Sequence, residues 1–196
     1  MLKRAINSVK HTNLTAKQQS KIQKIVRVDQ AGELGADYIY AGQHLVFSNT
    51  KPALAPLIKH MWEQEIHHHN TFDSIQTEGR VRPSLLTPVW KAAAFGLGVG
   101  TAALGKEAAM ACTEAVETVI GGHYNTQLRW LHKEFADSDI EGITELKEII
   151  KNFRDDELEH LDTAVVEGAK QAVPYYLLTE TIKTGCRVAI WIAERV

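Results

Sequence analysis

Two stretches constrain the fold of this 196-residue chain more than any others: Glu65-Ile66-His67-His68 and Glu157-Leu158-Glu159-His160. Each sets a glutamate and a histidine three residues apart in a segment of helical periodicity, so both side chains stack one turn apart on one helix face. A carboxylate oxygen and an imidazole nitrogen placed that way can bind one metal ion together. One Glu-x-x-His is common on helix surfaces. Two of them, each preceded by another helical segment that offers a glutamate, make a pattern. The preceding acids are Glu33 and Glu117, which stand 84 residues apart, while Glu65 and Glu157 stand 92 apart. The chain thus reads as a pseudo-repeat whose halves differ mainly in the length of a connection.

Helix lengths test the repeat. At 1.5 Å per residue, Glu33 to a helix end near Phe47 spans about 21 Å, and a restart near Ala53 up to Glu65 spans about 18 Å. Glu117 to Phe135 and Asp139 to Glu157 each span about 27 Å. Both antiparallel hairpins therefore bring their acids level. Four carboxylates and two imidazoles converging in a bundle are the ligand set of ferritin-like proteins with paired iron or manganese. Hard oxygen donors with two nitrogens suit those metals, and the lack of thiolate ligands argues against an iron–sulfur centre. The predicted fold is all-α: a ferritin-like four-helix di-iron bundle with an apolar crossover helix and an amphipathic C-terminal helix.

Several positions have alternatives. His69 forms an i,i+4 pair with Glu65, as His160 does with Asp156, but the three-residue spacing selects His68. Glu114 and Glu117 could both face the core; Glu117 is chosen for its level and because Tyr124 lies seven residues on, on the same face. Tyr124 is either a substrate or electron-relay residue or an ordinary core tyrosine. Asp29 and Asp37 flank Glu33 by four residues and either support a ligand imidazole or sit in solvent.

In chain order, residues 17–47 read as the first helix and Ser48 to Pro52 as a turn, with Pro52 placed to open a second helix from Ala53 to Glu78. Ala92 to Gly105 carries no charge. Its fourteen residues make about 21 Å of helix, too short for a bilayer core of about 30 Å. It fits the crossover between the hairpins, on the outside of the bundle, in contact either with membrane or with core. The glycines of Gly96-Leu97-Gly98-Val99-Gly100 are not a nucleotide fingerprint, since no βαβ unit surrounds them, and are expected to permit close packing. A helix from Lys106 to Glu134 follows, then Asp137-Ser138-Asp139 as a capping turn and a helix to Gly168. The tail from Ala172 carries an apolar stripe of Tyr175, Leu178, Ile182, Cys186, Ala189 and Ala193, with Trp191 as an aromatic anchor; it lies on membrane, on the crossover or on the bundle.

A net charge of −2 gives no pull toward nucleic acid. Cys112 and Cys186 are isolated and read as reduced thiols. Residues 1–28 hold seven Lys or Arg and no acid. Residues 1–16 accordingly read as a basic leader, a mitochondrial presequence or its remnant, ahead of one domain over 17–196; the rival is a bacterial chain with a basic first helix.

The chain resembles the 5-demethoxyubiquinone hydroxylase family of ubiquinone biosynthesis, particularly its fungal mitochondrial branch, over about residues 22 to 196. The matching stretches are Arg27-Val28-Asp29-Gln30-Ala31-Gly32-Glu33, Met61-Trp62-Glu63-Gln64-Glu65, Lys106 through Thr113, Gly122-His123-Tyr124-Asn125, Asp155 through Asp162, and Ala172-Val173-Pro174-Tyr175-Tyr176. The resemblance implies two iron ions on Glu33, Glu65, His68, Glu117, Glu157 and His160, with His123 and Tyr124 near the reaction. It implies O2-dependent hydroxylation of a polyprenylated demethoxy-benzoquinol in the penultimate ubiquinone step. It further implies peripheral attachment to the matrix side of the mitochondrial inner membrane, or to the cytoplasmic side of a bacterial one, and a lipid-binding partner protein. No nicotinamide or flavin motif is visible, so reductant comes from NADH, from the quinol or from a partner. The rival functions are a ferritin-like ferroxidase or iron store, which needs a shell-forming surface that the apolar crossover opposes, and a non-catalytic quinone-binding scaffold.

Overall fold

A computed structural model of the chain describes residues 14–136 and 140–196. Most of the basic leader and the expected capping turn at Asp137-Ser138-Asp139 lie outside the described residues. Six α-helices and no strand occur among the described residues: α1 (Ala16–Thr50), α2 (Ala55–Gly79), α3 (Thr87–Leu104), α4 (Lys106–Glu134), α5 (Glu141–Val166) and α6 (Tyr175–Ala193), with a short 3-10 turn at Ala169–Gln171. This is the predicted all-α fold.

Local chemistry sets most helix ends. Thr15 caps α1 through a reciprocal pair with Gln18, each side chain meeting the other residue's backbone N–H. At its far end α1 outruns the expected stop at Phe47. Ser48, Asn49 and Thr50 donate their side-chain hydrogens to the carbonyls four residues back, at 2.7–3.0 Å, and carry the helix to Thr50. Pro52 consequently sits in the turn, and Pro56, in the first turn of α2, plays the opening role expected of it. The end of α2 is a left-handed residue, Arg80 at φ 50°, where glycine would be unstrained.

α1 packs along α2 and α3, and α4 along α5 and α6. The α1–α2 and α4–α5 hairpins face each other to make the bundle. One apolar core, built on Ile22, Ile25, Phe72, Leu131, Ile143 and Ile150, fills one end; a second, built on Phe47, Ile58, Met61, Met110, Ala111 and Ala164, fills the other. Polar side chains between these cores are walled from water at both ends.

The crossover α3 lies on α1 at backbone contact. A Cβ on Gly98 would fall 2.0 Å from the carbonyl oxygen of Ile39, and one on Gly42 2.6 Å from that of Phe95. The expectation of close packing thus holds for Gly98 alone of the three crossover glycines, since Gly96 and Gly100 face open space. α6 returns over α4 and buries Thr179, Ile182 and Ala193, while Leu177, Val188 and Trp191 remain on its outer side.

Candidate metal centre

The four long bundle helices each deliver acids or imidazoles to the gap between the two cores. Glu33 comes from α1, Glu65 and His68 from α2, Glu117 from α4, and Glu157 and His160 from α5; none is more than 1% exposed. Their donor atoms gather into two groups, each within 4.8 Å: Glu33, Glu65, His68 and Glu157 in one, Glu65, Glu117, Glu157 and His160 in the other. Glu65 and Glu157 belong to both. All six sequence-selected residues therefore meet, in the arrangement of two adjoining cation sites with two shared carboxylates.

The contacts are close. His68 Nδ1 lies 3.4 Å from Glu33 Oε2 and 3.2 Å from Glu157 Oε1; His160 Nδ1 lies 3.0 Å from Glu65 Oε1 and 3.3 Å from Glu157 Oε2. Yet eight of these buried atoms have no aligned hydrogen-bond partner: Glu33 Oε2, both oxygens of Glu65 and of Glu157, Glu117 Oε2 and the two Nδ1 atoms. Buried polar atoms are ordinarily paired, so a cluster left this way fits a cation pair that the protein chain itself does not supply. The donor set of oxygens with one imidazole nitrogen per group suits iron or manganese.

Charge in the cluster tells the same story. Burial pushes the carboxyls of Glu33, Glu65 and Glu117 up, with Glu157 adding to the effect in each. Burial alone would raise Glu157, but it faces both imidazoles, and their close contacts and charge outweigh that and draw it down to about 2. Burial opposes the charged form of His68, but Glu157 and Glu33 overcome that and raise it to about 12. Without cations the site compensates itself with protons.

Each imidazole is aimed by the opposite half. His68 Nε2 meets Asp156 Oδ2 at 3.0 Å and His160 Nε2 meets Gln64 Oε1 at 3.0 Å. Asp156 and Gln64 each directly precede the glutamate of the other Glu-x-x-His. Phe153 stacks on His68 with centroids 3.9 Å apart. Both rings thereby offer Nδ1 inward. The terminal acids are tied in the same crossed way. Tyr124, seven residues after Glu117, donates to Glu33; Tyr40, seven after Glu33, donates to Glu117 at 2.9 Å. Sequence reading found Tyr124 and missed Tyr40, although the same seven-residue offset marks both.

The alternatives resolve cleanly. Glu114 turns away to bond Lys170 and Tyr175. His69 pairs with Asp37 at 3.0 Å, and Trp62 also donates to Asp37, so Asp37 steadies a flanking histidine rather than a ligand one. Asp29 is buried and accepts from Gln127 at 2.6 Å. Burial holds the thiols of Cys112 and Cys186 up, to about 12 and about 11, consistent with unreactive cysteines.

Beside the cluster lies a cavity of about 440 Å³ between α1, α3, α4 and α6. Glu33, Tyr124, His123 and Asp29 stand on its wall, which is otherwise mostly apolar, with Leu97 of α3 and Ile190 of α6 among its lining. His123 is thus at the site without belonging to the cluster, its charged form disfavoured by burial.

Comparison with known proteins places these features in a family. The family profile described as "Ubiquinone biosynthesis protein COQ7" matches residues 20–193. The mitochondrial 5-demethoxyubiquinone hydroxylase of Saccharomyces cerevisiae is 59% identical over 191 residues, covering 94% of this chain and 82% of the yeast protein. The human mitochondrial protein named NADPH-dependent 3-demethoxyubiquinone 3-hydroxylase is 48% identical over 177 residues, covering 90% and 79%. The 3-demethoxyubiquinol 3-hydroxylase of Rhodospirillum rubrum is 45% identical over 175 residues, covering 89% and 78%.

Proposed function

This chain belongs to the COQ7 family of ubiquinone biosynthesis proteins, and we propose that it hydroxylates the ring of a polyprenylated demethoxy-benzoquinol with O2, at the penultimate step of ubiquinone formation, on a pair of iron ions. The observation that carries this reading is the pair of four-residue groups sharing Glu65 and Glu157, set against an apolar cavity. Glu33 and His68 would hold one iron, Glu117 and His160 the other, and Glu65 and Glu157 both. When bound, the iron pair supplies the electrons and Lewis acidity that bring O2 to reactivity with an aromatic ring.

The chain's own residues do the rest. The two apolar cores keep bulk water from the cluster, which strengthens every electrostatic contact inside it. The cavity gives the substrate ring a place beside Glu33 and Tyr124. Apolar residues of α3 and α6 line it and suit a prenyl chain that water would reject. Tyr124 and Tyr40 fix the two terminal acids, and Asp156 and Gln64 fix the imidazoles. The reductant is a reduced nicotinamide, NADH or the NADPH that appears in the names of mammalian relatives.

No helix among the described residues is long and apolar enough to cross a membrane. Attachment would be peripheral, at the matrix side of the mitochondrial inner membrane, in keeping with the mitochondrial names of the relatives. The outward side of α6 suits the interface: Leu177, Val188 and Trp191 are more than half exposed, and Arg195 stacks over the Trp191 ring at 4.0 Å. A lipid-binding partner that delivers the prenylated substrate would meet the same region. Purified protein loaded with iron, given reductant, O2 and a short-chain demethoxyquinol, should form the ring-hydroxylated product. Glu157→Ala should abolish it with helix content unchanged; retained turnover in that variant would refute the assignment.

A further inference from the structure

The 84-residue offset that relates Glu33 to Glu117 and Tyr40 to Tyr124 continues outward from the cluster. Gln127 donates to Asp29 at 2.6 Å, and its counterpart Gln43 lies 3.5 Å from Thr113 Oγ1. The correspondence then breaks. One half has the acid Asp29 where the other has Thr113, and His123 where the other has Ile39. Asp29 and His123 both stand on the cavity wall.

Packing alone does not account for the acid. Asp29 is 3% exposed, its Oδ2 has no partner, and the glutamine contact that holds Oδ1 is approached in the other half by a threonine hydroxyl. A buried carboxyl with an unmet oxygen is costly unless it serves something nearby. The group beside this carboxyl on the cavity wall is His123, whose Nε2 lies 3.9 Å from Oδ1, the oxygen that also accepts from Gln127. A rotation of the imidazole would bring it to hydrogen-bond distance of the carboxyl, whose Oδ2 is unpartnered.

We propose that Asp29 is a positioning residue for His123, and that His123 so aimed bonds one ring oxygen of the quinol substrate. This rests on the hydroxylase reading above. Burial favours the neutral form of each member, raising Asp29 and lowering His123, so the pair adds no net charge to an apolar cavity. With Nε2 engaged by Asp29, Nδ1 is left for the substrate. A quinol hydroxyl both donates and accepts, so it matches either tautomer. Fixing one ring oxygen at His123 fixes which ring carbon lies toward Glu33 and Tyr124.

A double-mutant cycle tests the pairing. Asp29→Asn, Asp29→Thr, His123→Ala and Asp29→Asn/His123→Ala are compared as iron-loaded enzymes with matched iron content and helicity. Asp29→Thr reproduces the other half and keeps a group for Gln127. Each single variant should lower kcat/KM for a short-chain demethoxyquinol about tenfold or more, and the double variant should fall no further than His123→Ala. Wild-type kcat/KM in both Asp29 variants, or losses that multiply in the double variant, would overturn the pairing. The same cycle read as demethoxyquinone affinity of the metal-free proteins, by quenching of tryptophan fluorescence, tests the pairing independently of turnover. A wild-type enzyme that binds the quinone with a coupled cycle but never hydroxylates it would sink the hydroxylase reading instead.

Discussion

Tyr40 of α1 donates a 2.9 Å hydrogen bond across the bundle to Glu117 of α4. Glu117 is on the helix that sends Tyr124 back to Glu33, so the two terminal acids are held by each other's helices. Each tyrosine is buried, and its hydroxyl leaves one oxygen of its acid free to face the cluster. Tyr40→Phe should therefore loosen Glu117 selectively. We expect about a 10- to 100-fold loss of affinity at the Glu117–His160 site. Tyr124→Phe should weaken the Glu33–His68 site in its place. Anaerobic iron titration followed by spectroscopy of the two sites checks which one fails.

The imidazoles are held less symmetrically than the acids. His68 bonds a carboxylate, Asp156, whereas His160 bonds an amide, Gln64, both at 3.0 Å. A carboxylate makes its imidazole the more basic ligand. Asp156→Asn should lower affinity at the His68 site about tenfold, at the lower end of such effects because the Asp156 side chain is 38% exposed. Gln64→Glu should raise affinity at the other site. Competition with a metal chelator measures both.

Protons and metal compete for the same atoms, which fixes the direction of the pH dependence. Glu65 and Glu117 have folded-state values raised above those of the unfolded chain, chiefly by burial, and His68 is raised by its acids against its burial. Above the ordinary range of each group, the folded metal-free protein binds more protons than the unfolded chain, so its stability falls as pH rises. Glu157 acts at the other end: its depressed value contributes stability that is lost as pH falls toward about 2. The metal-free protein should thus be most stable in mildly acid solution and lose Tm as pH rises above the ordinary carboxylate range, the His68 share of the loss running from its ordinary value toward about 12, whereas iron loading should remove that decline. Iron binding should also release protons, and titration calorimetry in buffers of different ionisation enthalpy counts them.

Much of this centre was legible in the sequence because helical spacing is rigid. Glu-x-x-His fixes two donors on one face whatever surrounds them, and two hairpins, each with arms of nearly matched length, bring their acids level. His68 over His69 followed from the first fact, and Glu117 over Glu114 from the second together with Tyr124 seven residues on. Tyr40 and Gln64 escaped notice, and Asp156 was weighed only as an i,i+4 partner of His160 and not as the partner of His68, because each acts across the bundle on a residue of the opposite half, a relation that spacing along one helix does not contain. Their signal was the repeat itself, carried past the ligands at the same offset. The stop of α1 was misjudged for a local reason: Ser48, Asn49 and Thr50 look like a turn but bond their own helix.

The contact of α3 with α1 sets one wall of the cavity. A methyl group on Gly98 would collide with the backbone of Ile39, whereas one on Gly96 would meet nothing within 4 Å. Gly98→Ala should cost more than about 2 kcal/mol of stability and weaken quinone binding as α3 moves off α1. Gly96→Ala should be neutral or stabilising by up to about 1 kcal/mol, since alanine is the better helix former. Thermal melts of the two variants with and without a demethoxyquinone separate packing from helix propensity.

The central claim is that two cations share Glu65 and Glu157 between the hairpins. Anomalous diffraction from crystals of the iron-loaded protein, recorded on either side of the iron edge, tests it most directly. The account predicts two iron peaks per chain, one bounded by Glu33 and His68, the other by Glu117 and His160, with Glu65 and Glu157 touching both. A single peak, or iron bound elsewhere with these six side chains apart, would contradict it.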